Sequence, residues 1–206
     1  MGIRDSHWGY HPGQLDILAE LKAEARRAGL WNFFLPDAET GEGLSNLDYA
    51  YIAAELGKNP LASESLNCSA PDTGNMEVLE RVGTPEQKKR WLAPLLNGEI
   101  RSAYAMTEPD LASSDAKNIA CRAVLDGDEW VINGQKVWSS GAQFCEWGEL
   151  IARSDPDARK HGGMTAFLAP MDAPGIEIRP IRQMSGGSSF NEVFFSDVRI
   201  PASLRL

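Results

Sequence analysis

The segment from 104 to 116, with the sequence YAMTEPDLASSDA, concentrates small hydroxyl-bearing side chains around one turn. Thr107 precedes the turn that Pro109 fixes, and Ser113 and Ser114 follow it. Hydroxyl groups both donate and accept hydrogen bonds, so the segment suits a polar or anionic ligand. It contains no nucleophile beside a base, and its residue types therefore indicate binding rather than covalent catalysis.

A second segment of this kind, KVWSSG, covers 136 to 141 and places Trp138 next to Ser139 and Ser140. It follows a run with strand periodicity, so the three side chains are expected at a strand end. An indole ring beside hydroxyl donors suits a flat aromatic ligand whose edge needs hydrogen bonds. On residue types alone, a core tryptophan and two ordinary turns stay open as the alternative.

Other constellations that carry chemistry are absent or weak. Neither a GxGxxG nor a Walker sequence occurs, and His7, His11 and His161 have no partner at metal-ligand spacing, so no metal site is predicted. The run SGGSS at 185 to 189 could present backbone N–H groups to a phosphate. It lies between two strand-like runs with no helix start after it, which favours a hairpin loop.

The composition excludes several classes of protein. The chain has 206 residues, 43% hydrophobic and 24% charged, as is typical of a folded protein with one or two domains. Its net charge of -9 disfavours broad binding to nucleic acid or anionic membrane. No apolar run approaches the roughly 18 residues of a membrane helix, and no secretory signal is seen, so an intracellular, cytoplasmic protein is predicted. Three isolated cysteines predict reduced thiols packed as small apolar groups: Cys68, Cys121 and Cys145.

The elements that would position the two segments change character near residue 100. Before that point, apolar spacing predicts helices. A first helix is predicted to end at Gly29, and a second to run from a cap at Ser45 to Gly57. Their apolar faces consist of Leu15, Leu18, Leu21, Ala25 and Ala28, and of Leu47, Ala50, Tyr51 and Ala54.

The clearest helix start is TPEQ at 84 to 87. It combines a threonine cap, proline at the first helical position and glutamine three residues after the cap, as in a capping box. Pro94 must distort or shorten this helix because it has no N–H to donate. The side that we expect to be buried consists of Trp91, Leu92, Leu95 and Leu96.

After residue 100 the pattern predicts short strands. They cover 119–125, 129–133, 135–140, 149–153, 164–170, 176–181 and 190–200. Hairpin turns are predicted at Asp126-Gly127-Asp128 and at Asn133-Gly134. The predicted fold class is α+β, with a partial helical bundle over 1–100 and a small antiparallel β-barrel or sandwich over 101–206.

In chain order, the segments YAMTEPDLASSD, DEWVINGQKVWSSGA, IARSD and VFFSDVRIP resemble the acyl-CoA dehydrogenase family. The similarity runs from about Leu15 to the end of the chain and is most specific between Tyr104 and Ser140. DLASSD and WSS are similar to the subgroup also found fused to kinase-like domains. The resemblance implies an N-terminal helical domain that is incomplete at its start and a middle β domain, without the family's C-terminal helical domain.

The resemblance also implies FAD, bound between the β domain and helical domains. The expected contacts are Tyr104, Ala105, Met106, Thr107, Ser113, Ser114, Trp138, Ser139 and Ser140. Backbone groups near Met106 and the Thr107 hydroxyl would lie at the pyrimidine edge of the flavin, where donors favour the charge of a reduced flavin. Trp138 would flank the isoalloxazine, and Ser114 and Ser140 would also contact the acyl-CoA substrate.

The implied reaction is α,β-dehydrogenation of an acyl-CoA thioester in fatty-acid β-oxidation, with electrons passed to an electron-transfer flavoprotein. The family's catalytic base lies in the C-terminal domain, so it is expected beyond Leu206, and homo-oligomers are expected only for the full-length form. Glu108 and Asp115 are carboxylates near the expected flavin. Their positions, before a proline and at a local turn, favour structural roles.

Two functional hypotheses follow from these residues. In the first, the chain is the flavin-binding portion of an acyl-CoA dehydrogenase, inactive without the missing base. In the second, it is a truncated, non-catalytic folded module that binds flavin or serves in an interaction.

Overall fold

The computed structural model describes residues 13–59, 61–112 and 115–206, with the α-helices before residue 97 and the strands after residue 101. The helices are α1 (Gln14–Arg27), α2 (Asn46–Leu56), α3 (Ala62–Ser65), α4 (Asp72–Val82), α5 (Pro85–Gln87) and α6 (Ala93–Leu96), with a π-helical turn at Lys88–Leu92. The predicted α+β class is confirmed.

The first two predicted helices form, but neither predicted apolar face is buried as expected. On the first face only Leu18 and Ala25 are buried, and the other three residues are exposed. Gly29 takes a left-handed φ of 70° after α1, and Ser45 Oγ accepts a 3.2 Å hydrogen bond from Asp48 N at the start of α2. The side of α2 that packs against the core carries Tyr49 and Leu56. An apolar stripe predicts a helix face but not whether another element covers it. The face predicted from the sequence is wholly exposed, namely Leu47, Ala50, Tyr51 and Ala54.

The helix that starts at Thr84 has both the predicted cap and the predicted distortion. Thr84 Oγ1 accepts from Gln87 N at 3.2 Å, and Gln87 Oε1 accepts from Thr84 N at 2.9 Å. The π-helical turn ends at Leu92, two residues before Pro94, whose missing N–H interrupts the regular ladder. The predicted side still packs inward, with Leu96 only partly buried and Trp91, Leu92 and Leu95 buried.

Seven strands form one sheet. They are β1 (Ser102–Ala105), β2 (Arg122–Asp126), β3 (Glu129–Ser140), β4 (Trp147–Arg153), β5 (Met164–Pro170), β6 (Ile176–Ile181) and β7 (Phe190–Pro201). Their order is β1-β4-β2-β3-β7-β6, with β5 paired to β4 as well. The predicted antiparallel sheet is only partly right, because β1 and β4 are parallel. β2 also pairs with β4 in parallel, whereas β3 runs antiparallel to β2.

The predicted hairpin turn at Asn133-Gly134 is wrong, because β3 continues through it. Its pairing with β7 shifts register between Ile132 and Gly134, which marks a bulge. A Cβ at Gly134 would lie 2.8 Å from Cys121 Sγ, so glycine permits a close approach of backbone here. Asn133 Nδ2 donates to Asp197 Oδ1 across the strands at 3.0 Å. Local residue types could not distinguish this bulge from a hairpin.

The helices pack on the sheet through one aromatic contact and one polar contact. The Trp91 and Trp147 rings lie 5.7 Å apart between centroids. Asp72 Oδ1, on α4, accepts from Ser102 N at 2.6 Å and from Ser102 Oγ at 2.7 Å. The inward face of α4 contains Asp72 and Asn75 as well as apolar residues. Because this face is not uniformly apolar, the sequence pattern did not predict α4. The start of β1 is thereby fixed under the helices.

No helix among residues 13–59, 61–112 and 115–206 has the length and hydropathy needed to span a membrane.

Gln87 links the helical part to the C-terminal strand end, and its loss is expected to be costly. Gln87 Nε2 donates to the carbonyls of Ser203 and Arg205, each at 2.9 Å. Gln87→Leu removes the partner of these two carbonyls and of the Thr84 N–H, and should lower the free energy of unfolding by about 1–3 kcal/mol, as measured by urea denaturation. The matched control is Glu86→Gln, an exposed neighbour that should change stability little. Equal effects of the two substitutions would contradict the assigned role.

Candidate functional site

A buried ion pair between Lys136 and Glu108 joins the two segments singled out in the sequence. Lys136 Nζ donates to Glu108 Oε1 at 2.8 Å and to the Met106 carbonyl at 2.9 Å. The carboxylate also accepts the backbone N–H groups of Ala120 and Cys121, each at 2.8 Å. The side chains of Lys136 and Glu108 are 0% and 6% exposed, so each charge depends on the other for pairing. The ion pair therefore connects three chain segments at one point: 106–108, 120–121 and the part of β3 around Lys136.

A backbone hydrogen bond continues this junction toward the surface. Val137 N donates to the Thr107 carbonyl at 2.8 Å. Met106 and Thr107 therefore run beside β3 immediately before Trp138. The Thr107 segment and Trp138 belong to one flank of the sheet, as a shared binding site requires.

Trp138 projects from an irregular point of β3. The pairing of β3 with β7 shifts between Lys136 and Ser139, and Trp138 takes a φ of 63°. A bulky residue in the left-handed region is strained, and such strain is concentrated at functional sites. The indole is 55% exposed and contacts the Phe190 ring edge-on at a centroid distance of 6.0 Å. The bulge thus presents a large aromatic surface to a ligand.

A buried polar cluster supports this strand end from behind. Asn191 Nδ2 donates to the Ser139 carbonyl at 3.1 Å and also to Gln143 Oε1. Gln143 Nε2 donates to the Ser188 carbonyl at 3.2 Å, which joins the cluster to the loop before β7. Among the described residues, the buried Ser139 Oγ has no hydrogen-bond partner. The cluster fixes the backbone from which the indole projects.

A second pair of polar residues, Tyr104 and Glu149, lies where β1 pairs with β4. They lie opposite each other in the register of β1 and β4. Tyr104 Oη donates to Met106 Sδ at 3.1 Å. Burial raises the pKa of the Glu149 carboxyl from its ordinary value to about 7. Burial, and secondarily the charge of Glu149, raises the pKa of Tyr104. A carboxyl that titrates near neutrality therefore lies next to a predicted site residue.

The residues predicted to hold FAD fall into three groups. Side chains at least partly exposed are those of Tyr104, Met106, Thr107, Trp138 and Ser140. The side chains of Ala105 and Ser139 are buried, so only their backbone groups are available to a ligand. Ser113 and Ser114 lie outside the described residues, so their predicted contacts stay predictions.

The two candidate bases have structural partners. The Glu108 carboxylate is engaged by Lys136 and two backbone N–H groups. Asp115 pairs with the Lys117 ammonium at 2.6 Å and also accepts a hydrogen bond from the Lys117 backbone N–H, as expected for a residue at a local turn. Both findings agree with structural roles.

Within residues 13–59, 61–112 and 115–206, no group of three or more His, Cys, Asp or Glu could hold a metal ion. His161 is exposed, and His7 and His11 lie outside the described residues. The three cysteines are free; Cys68 and Cys121 are buried and Cys145 is partly buried.

Sequence reasoning missed the residues that position the site. Lys136 belongs to a quoted motif, but its buried pairing with Glu108 was not predicted. The available signal was a lysine at an inward position of a strand, since a buried ammonium needs an anionic partner. No local feature of the sequence indicated Glu149 or Asn191, because only the pairing of strands distant in sequence brings them to the site.

Comparison with known proteins identifies the family. Residues 7–99 match the N-terminal domain and residues 103–198 the middle domain of acyl-CoA dehydrogenases. The chain belongs to the acyl-CoA dehydrogenase family, as its motifs predict.

Individual relatives show the same relationship. Acyl-CoA dehydrogenase family member 11 of Mus musculus is 47% identical, over 95% of this chain and 25% of the relative. An acyl-CoA dehydrogenase-like structure from Mycobacterium abscessus is 48% identical with a TM-score of 0.90, over 97% of this chain and 49% of that one. The Mycobacterium smegmatis glutaryl-CoA dehydrogenase in complex with FADH2 is 27% identical with a TM-score of 0.73, over 91% of this chain and 47% of that one. The chain thus spans from about a quarter to about half the length of these relatives.

Breaking the buried ion pair is expected to be strongly destabilising. Lys136→Met leaves the Glu108 carboxylate buried without its cation and should lower the free energy of unfolding by about 3–5 kcal/mol. The double variant Lys136→Met, Glu108→Gln should recover part of this loss. Lys117→Met is the control, because its pair with Asp115 is solvent-exposed and should contribute less than about 1 kcal/mol. Chemical denaturation of the parent and the three variants measures each free energy of unfolding. Similar losses of stability in Lys136→Met and Lys117→Met would rule out the assigned role of the buried pair.

Glu149 is expected to make stability depend on pH. Its raised pKa means that the folded state holds this proton more tightly than the unfolded state does. The resulting stabilisation is complete below the ordinary carboxyl pKa and is lost as pH rises to about 7. Glu149→Gln removes this dependence, so the variant should be more stable than the parent by about 1–3 kcal/mol near pH 8 and similar to it near pH 4.

Urea denaturation of parent and variant across that range measures the difference. Glu177→Gln, at an exposed position of β6, is the control and should show no comparable gain at high pH. A constant difference between the Glu149→Gln variant and the parent would contradict the prediction.

Proposed function

We propose that this chain is the flavin-binding portion of an FAD-dependent acyl-CoA dehydrogenase. The observation that carries the proposal is the junction at which a buried ion pair and a backbone hydrogen bond hold the Thr107 segment beside an exposed, strained Trp138. A flat ring flanked by hydroxyl and backbone donors fits a flavin, whose ring needs a stacking surface and whose edge needs hydrogen bonds.

Each residue has a proposed role in this site. Backbone groups near Met106 and the Thr107 hydroxyl bind the pyrimidine edge, and Trp138 packs against the isoalloxazine with Ser140 near its redox-active nitrogen. Tyr104 and the backbone at Ala105 and Ser139 complete the contact surface. Ser113 and Ser114 bind the phosphates of FAD, and Ser114 and Ser140 also contact the thioester substrate.

The proposed reaction is α,β-dehydrogenation of an acyl-CoA in fatty-acid β-oxidation. Bound FAD would supply the acceptor for the hydride that leaves the β carbon. The residues of this chain bind and orient the flavin, and their donors stabilise negative charge at its pyrimidine edge. The α proton requires a base outside this chain, which the family resemblance expects beyond Leu206.

The wider setting is proposed on the same basis. The helical part corresponds to an N-terminal domain over 1–100 and the sheet to a middle domain over 101–206. An electron-transfer flavoprotein reoxidises the flavin, and a full-length form assembles into homo-oligomers.

The engagement of Glu108 and Asp115 favours a second candidate function, a non-catalytic module. Absorbance spectroscopy of the 206-residue chain distinguishes the two. Yellow protein that acyl-CoAs bleach is a dehydrogenase by itself, which would overturn the expectation of an external base. Yellow protein that no thioester bleaches is a flavin-binding portion. Folded protein that is colourless after incubation with excess FAD and removal of the unbound FAD would refute the flavin proposal. That result would favour an interaction module.

Substitution of Trp138 is expected to separate binding from stability. Trp138→Gly removes the stacking surface and should weaken FAD binding several-fold, corresponding to about 0.5–1.5 kcal/mol. The free energy of unfolding should change by less than about 1 kcal/mol, because relief of the left-handed backbone offsets the lost contact with Phe190.

Flavin fluorescence titration measures the affinity, and urea denaturation measures the stability. Tyr51→Ala, which removes an aromatic ring that is 72% exposed on α2, is the control and should leave FAD affinity unchanged. Unaltered affinity in the Trp138→Gly variant would show that the indole does not bind flavin.

A further inference from the structure

The Lys136 ammonium makes one contact that charge pairing does not require. It is paired with the Glu108 carboxylate, and it also donates to the Met106 carbonyl at 2.9 Å. The carboxylate is opposed by three donors, because the N–H groups of Ala120 and Cys121 bind it as well. The positive end of the buried pair therefore faces the Met106 carbonyl, and the negative end faces the segment before β2.

The carbonyl that accepts this hydrogen bond belongs to the peptide between Met106 and Thr107. The peptide is trans, so its N–H points away from its C=O and hence away from Lys136. Thr107 N donates to no acceptor in the described part of the chain, whereas the Thr107 carbonyl accepts from Val137 N at 2.8 Å. β3 thus holds two successive carbonyls and leaves the Thr107 N–H available to a ligand.

A charged donor on a peptide carbonyl makes the N–H of the same peptide a stronger donor. The two groups share one delocalised bond, so electron density drawn toward the oxygen increases the positive charge on the N–H. The effect is larger away from water, and the Lys136 side chain is 0% exposed. The Thr107 N–H therefore favours a negatively charged acceptor over a neutral one.

The proposed flavin site presents such an acceptor in only one redox state. Two electrons and one proton convert oxidised FAD to reduced FAD with one negative charge, which lies at the pyrimidine edge. The proposed function assigns backbone groups near Met106 and the Thr107 hydroxyl to this edge. The Thr107 N–H lies between those two groups in the chain, so its donor strength bears on the charge that reduction creates.

We propose that Lys136 is a positioning residue that makes bound FAD easier to reduce. Its ammonium fixes and polarises the Met106–Thr107 peptide, whose N–H then binds reduced FAD more tightly than oxidised FAD. This inference rests on the proposed flavin-dependent function of the site. A purely structural ion pair supports both redox forms equally, and equal affinity for two states shifts no equilibrium between them.

The test measures the reduction potential of FAD bound to the 206-residue chain, by absorbance titration against a reference dye. The variant is Lys136→Met, Glu108→Gln, which removes both charges together and leaves no unpaired buried carboxylate. Its preference for reduced over oxidised FAD should be about 10-fold smaller than that of the parent, the order expected for one hydrogen bond to a charged group. For a two-electron couple, this corresponds to a potential about 30 mV lower.

Two control variants separate polarisation of the peptide from loss of stability or of surface charge. Gln87→Leu destabilises the fold outside the junction between Lys136 and Glu108. Lys117→Met removes an exposed cation whose partner is Asp115. Both variants should keep the potential of the parent.

Nuclear magnetic resonance of the parent adds a readout that needs no variant. Reduction of bound FAD should move the Thr107 amide proton signal downfield, because a hydrogen bond to a charged acceptor is shorter and stronger. The Val137 amide, which donates to the Thr107 carbonyl, is the internal reference and should move less.

The outcomes separate this inference from the proposed function. Failure of the parent to bind FAD overturns both. FAD binding with the same potential in the parent and the double variant overturns only the role of Lys136. That role is also overturned if either control lowers the potential as much as the double variant does, or if the Thr107 amide signal does not move. If the double variant does not fold or does not bind FAD, the Thr107 and Val137 signals decide the question.

Discussion

The site depends on the requirement that two buried charges stay paired. Lys136 and Glu108 are removed from water, and the carboxylate is further engaged by backbone N–H groups that precede β2. Such a pair adds little net stability relative to an apolar core, but it fixes geometry because either charge alone would be costly. The segment after β1 therefore has one position relative to β3, and the Thr107 segment and Trp138 follow from it.

The binding surface is made by irregular backbone held on a regular sheet. The bulge at Trp138 breaks the pairing of β3 with β7, and the buried Asn191 amide supports the strand behind it. A ligand site needs exposed groups with fixed directions, and a bulge anchored on both sides supplies them at the cost of local strain. The sheet also fixes Glu149, whose buried carboxyl lies on β4 opposite Tyr104 of β1.

Much of the architecture follows from local sequence. The capping box at Thr84, the distortion before Pro94 and most strand bounds depend on neighbours within a few residues, and these predictions are confirmed. Errors arose where distant segments decide the outcome. The Asn133-Gly134 turn became a bulge because Cys121 packs against it, and the exposed face of α2 has no covering element among the described residues.

The sequence by itself determined the class of fold, the family and the two motifs of the candidate site, because spacing, caps and motif order are local properties of the chain. The tertiary structure alone decided which side chains of those motifs face outward, which partner neutralises Lys136, and that Glu149 lies beside Tyr104. These facts depend on strand register and on the burial of charge. Both are set by contacts between residues far apart in sequence, which no local pattern encodes.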